Sequence, residues 1–196
     1  INTVTNGTTF NDTGLQPSTV YKYTVSAFDA AGNNSAQSAV VSATTHSVQT
    51  TNIAQGKTAS ASSEETGNIA SKANDGNLDT RWCANNGNTG HWWMVDLGGE
   101  CSLTGSEITW EKANKIYKYK IEASLDGSTW ITAVDKTGNT SAQQVQKDDI
   151  SISPARYVRV TVTGLEQGCW ASIRECKIYG YPAIHSDKQA PSVPSN

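Results

Sequence analysis

Hydrophobic and polar positions alternate with a period of two over several short stretches of this 196-residue chain. The clearest are residues 21–27 (YKYTVSA), 117–123 (YKYKIEA), 158–162 (VRVTV) and 176–179 (CKIY). They are rich in β-branched and aromatic side chains, and Gly, Asp, Asn or Pro lie near their ends. No long stretch shows the spacing of an amphipathic helix. The pattern therefore predicts an all-β protein made of short antiparallel strands.

Two polar stretches without such a pattern divide the chain. Residues 47–51 are predicted to be a linker, and the proline-rich residues 182–196 are predicted to be extended. The division leaves residues 1–46, which hold too few strands for a complete sandwich, and residues 52–181, which are long enough for one domain.

Composition narrows the class of protein. The net charge is −3 with no block of Lys or Arg, which argues against a nucleic-acid partner. No stretch approaches about 18 consecutive apolar residues, which argues against a membrane span. The chain contains no GxSxG, HExxH or P-loop motif, so we expect no enzyme. Six Trp with only 17% charged residues are typical of extracellular β-rich proteins with polar ligands.

The first segment carries Leu15, Pro17 and Tyr21 at the spacing of a tyrosine corner. Together with residues 26–35 it resembles the C-terminal half of a bacterial fibronectin type III domain. Residues 189–196 resemble the start of another such domain. The resemblance implies a modular chain in which these domains act mainly as spacers.

Five blocks in the second segment occur in a characteristic order: residues 73–82, 92–98, 119–130, 155–160 and 170–180. Together they resemble a discoidin domain (coagulation factor V/VIII type C), and more narrowly the bacterial carbohydrate-binding modules of family 32. The resemblance implies an eight-stranded antiparallel jelly-roll β-sandwich that binds sugar through loops at one end. It further implies a non-catalytic, monomeric module that tethers a secreted bacterial glycoside hydrolase to a polysaccharide or oligosaccharide, alongside other modules of the same chain.

Residues 75–80 (DGNLDT) form a predicted polar loop that offers carboxylate, amide, hydroxyl and carbonyl oxygens, the ligands that Ca²⁺ prefers. The resemblance adds a glutamate on the last strand. The implied structural calcium site uses the side chains of Asp75, Thr80 and Glu175 and the carbonyls of Lys72, Asn77 and Thr80. The alternative is a hydrogen-bonded turn in which Glu175 pairs with Arg81 or Arg174.

A sugar site needs an aromatic face for stacking and planar polar groups for hydroxyls. In the loops that the resemblance places at one end, the polar candidates are Glu64, Glu65, Asn85, Asn86, Glu111 and Lys115. Trp170 is the first choice as stacking platform and Tyr117 the second, whereas Trp82, Trp92 and Trp130 are expected in the framework. The carboxylates would suit an amino sugar, because they pair with ammonium groups.

The sequence leaves open which sugar is bound and whether the module binds a polysaccharide or a cell surface. Galactose-binding members carry a His directly after the framework Trp, where this chain has Cys83, so a β-glucan, a chitin-derived or glucosamine polymer, or an α-glucan fits as well. A discoidin-type adhesion module that binds a cell-surface glycan or phospholipid is the second hypothesis. Its exposed apolar loop tips and basic rim contrast with the polar, acidic loops of this chain, which argues against a membrane partner.

The four cysteines permit three pairings. If the loops that hold Cys83 and Cys169 are neighbours, an exported protein would join these two residues and leave Cys101 and Cys176 as a second pair. The alternative is four free thiols buried as small apolar groups.

Overall fold

A computed structural model describes residues 19–45 and 51–183, together with Phe10, Asp12 and Leu15. The chain divides into two compact units, Ile1–Gln49 and Thr50–Asn196. Most of the predicted linker, residues 47–50, and residues 184–196 of the predicted tail lie outside the described residues. Among the described residues, no helix has the length and apolar character needed to cross a membrane.

The first unit contains one antiparallel pair, β1 (Val20–Tyr23) with β2 (Val41–Thr44). An isolated bridge joins Phe28 to Asn34. None of the described residues of this unit is buried, and the side chain of Phe28 is 55% exposed. The assignment to a fibronectin type III domain stays a prediction, since Pro17 of the tyrosine corner lies outside the described residues.

The second unit is an antiparallel β-fold, as the alternating pattern predicts. Its strands are β3 (Thr58–Ala61), β4 (Trp82–Cys83), β5 (Trp92–Trp110), β6 (Tyr117–Ser124), β7 (Ile131–Lys136), β8 (Val145–Leu165) and β9 (Ser172–Pro182). The strand order is β4-β9-β5-β8-β6-β7, with β3 paired to β5. The described residues of this unit form seven strands, where the resemblance implies eight, and two of the seven, β5 and β8, are 19 and 21 residues long.

Both long strands contribute to both layers of the sandwich. Register shifts interrupt the pairing of β5 with β8 between Asp96 and Gly105. Before this interruption β5 pairs with β3 and the second half of β8, and after it β5 pairs with β9 and the first half of β8. Such irregularities bend strands and redirect them.

The core is filled by the inward-facing side of these strands. Trp82, Trp93 and Trp110 are fully buried, and the ring of Trp110 stacks on that of Tyr117 with centroids 4.4 Å apart and planes 3° apart. Trp130 is half-buried beneath the guanidinium of Arg159, 4.1 Å from the ring centroid. Aromatic pairs of this kind stabilise a core beyond the area that they bury.

Five connections lie at the same end of the sandwich: residues 62–69, 84–91, 111–116, 137–144 and 166–171. The register fixes this arrangement, since Cys83 pairs with Ser172, Tyr117 with Leu165 and Thr109 with Val145. We call this region the loop end. It brings together segments that are far apart in the sequence, and it holds the predicted sugar-binding residues.

Candidate functional site

Trp170 lies at the loop end with 38% of its surface exposed. Its position is fixed from both sides. The next residue, Ala171, accepts a backbone hydrogen bond from Ala84 (2.9 Å). Gly87 comes so close that a Cβ atom there would lie 3.2 Å from Cδ1 and Nε1 of the indole ring. Residues 84–91 therefore hold the ring in a defined orientation while it stays accessible to solvent.

Two carboxylates and one guanidinium lie at the same end. Arg81 is 3.7 Å from the Glu65 carboxylate and 3.6 Å from that of Glu111, and all three side chains are partly exposed. Glu111 also donates its backbone N–H to the carbonyl of Ser172 (3.2 Å), close along the chain to Trp170. Partly exposed ion pairs this long contribute little to stability. The sequence interpretation missed Arg81 as a site residue and considered it only as a partner for Glu175.

The predicted polar pair Asn85 and Asn86 is organised by His91, a second residue that the sequence did not single out. His91 Nε2 is 2.9 Å from Asn86 Oδ1, and Asn86 donates to Asn85 Oδ1 (2.8 Å). His91 Nδ1 faces the hydroxyls of Ser62 (3.0 Å) and Ser63 (3.1 Å). The ring therefore ties residues 62–63 to residues 85–86, with Nε2 as donor and Nδ1 as acceptor in the tautomer that satisfies all three contacts.

Two of the predicted polar residues are engaged in contacts within the protein. Glu64 accepts a hydrogen bond from the backbone N–H of Ala70 (2.7 Å) at the start of the 3₁₀ turn Ala70–Ala73. Lys115 forms an ion pair with Glu166 (3.0 Å), and this ammonium group lowers the pKa of the Glu166 carboxyl. Both side chains stabilise loops, and neither is joined to Arg81, Glu65 or Glu111 by the described contacts.

Tyr117 is wrong as a stacking platform. It begins β6, whose odd-numbered residues face the core, and only 1% of its surface is exposed. Its ring is covered by Trp110. Burial raises the pKa of its hydroxyl far above the usual range. The alternation predicted the strand correctly, but it did not indicate which of the two faces is buried.

All four cysteines are free thiols and buried in the structure. The predicted Cys101–Cys176 bond is wrong, because Cys101 pairs with Pro182 on β9 whereas Cys176 pairs with Ile108 on β5. This register separates the two residues by about 20 Å, and a disulfide requires Cα atoms within about 7 Å. The predicted Cys83–Cys169 bond is likewise not formed. Burial raises the pKa of both Cys83 and Cys176.

The residues predicted to bind calcium converge, although they come from three parts of the chain. The Thr80 hydroxyl is 2.7 Å from Asp75 Oδ2, 2.9 Å from the carbonyl of Asn77 and 3.5 Å from the carbonyl of Lys72. Glu175 reaches the same loop, since its Oε2 accepts the backbone N–H of Gly76 (3.1 Å). Only two of these residues are carboxylates. Among the described residues, no group of three or more His, Cys, Asp and Glu side chains forms a metal site.

Glu175 provides a test of whether this cluster fits a cation. The residue is only 2% exposed, and its Oε1 is buried without a hydrogen-bond partner. Burial, and after it the charge of Asp75, raises the pKa of the Glu175 carboxyl to about 7. The alternative pairing with arginine is not formed, because Arg174 donates to the carbonyls of Leu78 and Glu111. A hard divalent cation bound by oxygen atoms would satisfy this carboxylate.

Comparison with known proteins identifies the family to which the chain belongs. Residues 58–176 match the model of the F5/8 type C domain family, and the chain belongs to this family. Among solved structures, chitosan-binding module 2 from a Paenibacillus sp. IK-5 chitosanase/glucanase, in complex with chitotriose, is 31% identical. That match covers 66% of this chain and 100% of the module, with a TM-score of 0.58.

A second solved structure is CpGH89CBM32-4 from Clostridium perfringens in complex with GlcNAc-α-1,4-galactose. It is 28% identical, covers 65% of this chain and 92% of that chain, and has a TM-score of 0.57. Exoglucanase B of Cellulomonas fimi is 41% identical over 135 residues, which are 69% of this chain but only 12% of the exoglucanase. The predicted resemblance to discoidin-like family 32 modules is thus confirmed, and the chain is an accessory module, not an enzyme.

Proposed function

We propose that the loop end binds a saccharide chain, with Trp170 stacked on the apolar face of a sugar ring. The observation that carries this proposal is the exposure of Trp170, which contrasts with the three fully buried tryptophans of the core. An aromatic ring held in place at a polar surface costs little conformational entropy on binding. In this role the module tethers a larger secreted glycoside hydrolase to its substrate, and neighbouring modules add avidity.

The preferred saccharide in this proposal is an oligomer of an amino sugar. Glu65 and Glu111 supply two carboxylates against the single guanidinium of Arg81, so this cluster of three residues has one net negative charge. A carboxylate forms strong charge-assisted hydrogen bonds with an ammonium group. The relative from Paenibacillus is a chitosan-binding module with chitotriose bound, which supports this choice.

The proposal also includes a structural calcium ion. Asp75, Thr80 and Glu175 would supply side-chain oxygens, and Lys72, Asn77 and Thr80 would supply carbonyls. The ion neutralises the buried Glu175 carboxylate and so fixes the 75–80 loop against β9. Because Arg81 follows Thr80 directly, an ordered calcium loop also supports the position of Arg81.

The test is retention of the full chain on insoluble chitosan, chitin and cellulose, compared with acidic liposomes. We expect retention on chitosan. Trp170→Ala should lower the affinity for chitosan by roughly thirtyfold, the loss typical of an aromatic side chain that a ligand covers on binding. Leu125→Ala is the matched control, since Leu125 is 45% exposed in the connection after β6, at the opposite end of the sandwich. Binding to liposomes without binding to any polysaccharide would instead indicate the adhesion module.

A further inference from the structure

A polar cleft opens at the loop end. It has a volume of about 760 Å³ and lies between the end of β7 and the start of β8. Four side-chain amides line it: Asn139, Gln143, Gln144 and Gln146.

Hydrogen bonds to the backbone hold three of these amides in place, those of Asn139, Gln144 and Gln146. Asn139 Nδ2 donates to the carbonyls of Tyr117 (2.9 Å) and Ser141 (3.2 Å). Gln146 Nε2 donates to the carbonyl of Gln143 (3.1 Å). The cleft is therefore formed before any ligand arrives, which lowers the entropic cost of binding.

Glu111 is the residue that the cleft and the proposed sugar site share as a contact. Gln144 Nε2 donates to the carbonyls of Trp110 (3.1 Å) and Glu111 (3.3 Å). The side chain of Glu111 faces Arg81, and its backbone N–H donates to Ser172. Glu111 thus contacts a lining residue of the cleft through its carbonyl and the Arg81 cluster through its side chain.

The charges of the cleft favour a hydroxylated ligand over an anion. Its two lysines are already paired, Lys136 with Asp148 (3.1 Å) and Lys147 with Glu107 (3.0 Å). Amide groups, in contrast, can both donate to and accept from sugar hydroxyls. The amide nitrogens of Asn139 and Gln144 already donate to backbone carbonyls and Gln146 is only 6% exposed, so the exposed amide of Gln143 is the main group that the cleft offers to a ligand.

We propose that this cleft is a second subsite that binds further sugar units of the same chain whose first unit stacks on Trp170. The inference rests on the proposed function and extends it, because the affinity of the module would then increase with the length of the saccharide chain. A single sugar occupies only the Trp170 side, whereas a longer oligomer also contacts the amides.

The experiment is an ¹H–¹⁵N NMR titration of the full chain with glucosamine and with its hexamer. The indole N–H of Trp170 and the side-chain NH₂ groups of Gln143, Gln144 and Gln146 are observed in one spectrum. We expect both ligands to shift the Trp170 signal and only the hexamer to shift the glutamine signals. If the hexamer saturates Trp170 and leaves the glutamine signals unchanged, the subsite is refuted and the proposed function stands. If neither ligand shifts Trp170, the proposed function fails, and the subsite fails with it.

Measuring the affinity of a Gln143 variant tests the same subsite independently of the NMR signals. Gln143 is exposed, and we expect Gln143→Ala to weaken hexamer binding about twofold to tenfold, the loss of one hydrogen bond. Its affinity for glucosamine should stay unchanged. Gln37→Ala, an exposed glutamine of the first unit, is the matched control and should bind both ligands as wild type does. Unchanged hexamer affinity, or an equal loss for glucosamine, would contradict a subsite reserved for longer chains.

Discussion

Glu175 should make the stability of the second unit depend on calcium and pH together. Without a metal ion, burial and the charge of Asp75 raise the pKa of this carboxyl from 4.5 to about 7. The corresponding free energy is roughly 3 kcal/mol, at about 1.4 kcal/mol for each pH unit. This value is the approximate cost of holding the buried carboxylate ionised when no cation compensates it.

The direction of the pH dependence follows from the raised pKa. Between about pH 4.5 and pH 7 the folded, metal-free protein holds a proton that the unfolded chain has lost. The stability of the metal-free form therefore falls as the pH rises through this window and is lowest above it. Calcium takes the place of the proton, so its stabilising effect should be largest above pH 7 and should decline at lower pH.

Thermal unfolding with EGTA or with millimolar calcium, at about pH 6 and about pH 8, measures this coupling. With EGTA at the higher pH, Glu175→Gln should be more stable than wild type by up to roughly 3 kcal/mol, or about 6–12 °C in Tm. The variant should not respond to calcium. Asp79→Asn is the matched control, an exposed acid of the same loop outside the predicted ligand set, and should respond as wild type does. A wild-type Tm that is indifferent to calcium, or a Glu175→Gln variant that still responds, would refute the reasoning.

Three further predictions follow from the packing. Gly87→Ala places a Cβ atom 3.2 Å from the Trp170 ring, so we expect weaker saccharide binding by titration calorimetry with little change in Tm; unchanged affinity would show that the ring orientation is unimportant. Tyr117→Ala should lower the free energy of unfolding by about 3–5 kcal/mol in urea. Tyr117→Phe should leave saccharide affinity unchanged, and a loss of affinity in this variant would show that the Tyr117 hydroxyl takes part in binding. A thiol-reactive dye should label four cysteines in the unfolded protein and react slowly with the folded protein, because the thiols are buried. Labelling of fewer than four cysteines in unfolded protein that has not been reduced would reveal a disulfide.

The sequence predicted strands well, since alternation is a local property. Residues 117–123 were expected to form a strand, and β6 covers Tyr117–Ser124. The same pattern could not predict that Tyr117 faces inward, because both faces of this strand carry large side chains. Nor could it predict that β5 and β8 each run through both layers, which depends on register shifts between distant segments.

The exposure of Trp170 at the loop end was predictable from the sequence, whereas the polar residues brought together near it were less so. Trp170 follows a Gly-Cys pair at a loop exit, which is a local signal of exposure. Arg81 was missed because it adjoins a framework tryptophan, and only the tertiary fold brings it between Glu65 and Glu111. The predicted pairing of Cys101 with Cys176 was wrong for the same reason, because the spacing of cysteines in the sequence does not determine the register of two paired strands.

The most direct test of the central claim is calorimetric titration of the full chain with a glucosamine tetramer, in calcium, for wild type and Trp170→Ala. We expect measurable binding by wild type and a loss of roughly thirtyfold in the variant, with an unchanged Tm. Equal affinities for wild type and Trp170→Ala would contradict it, because saccharide would then bind away from the exposed tryptophan at the loop end.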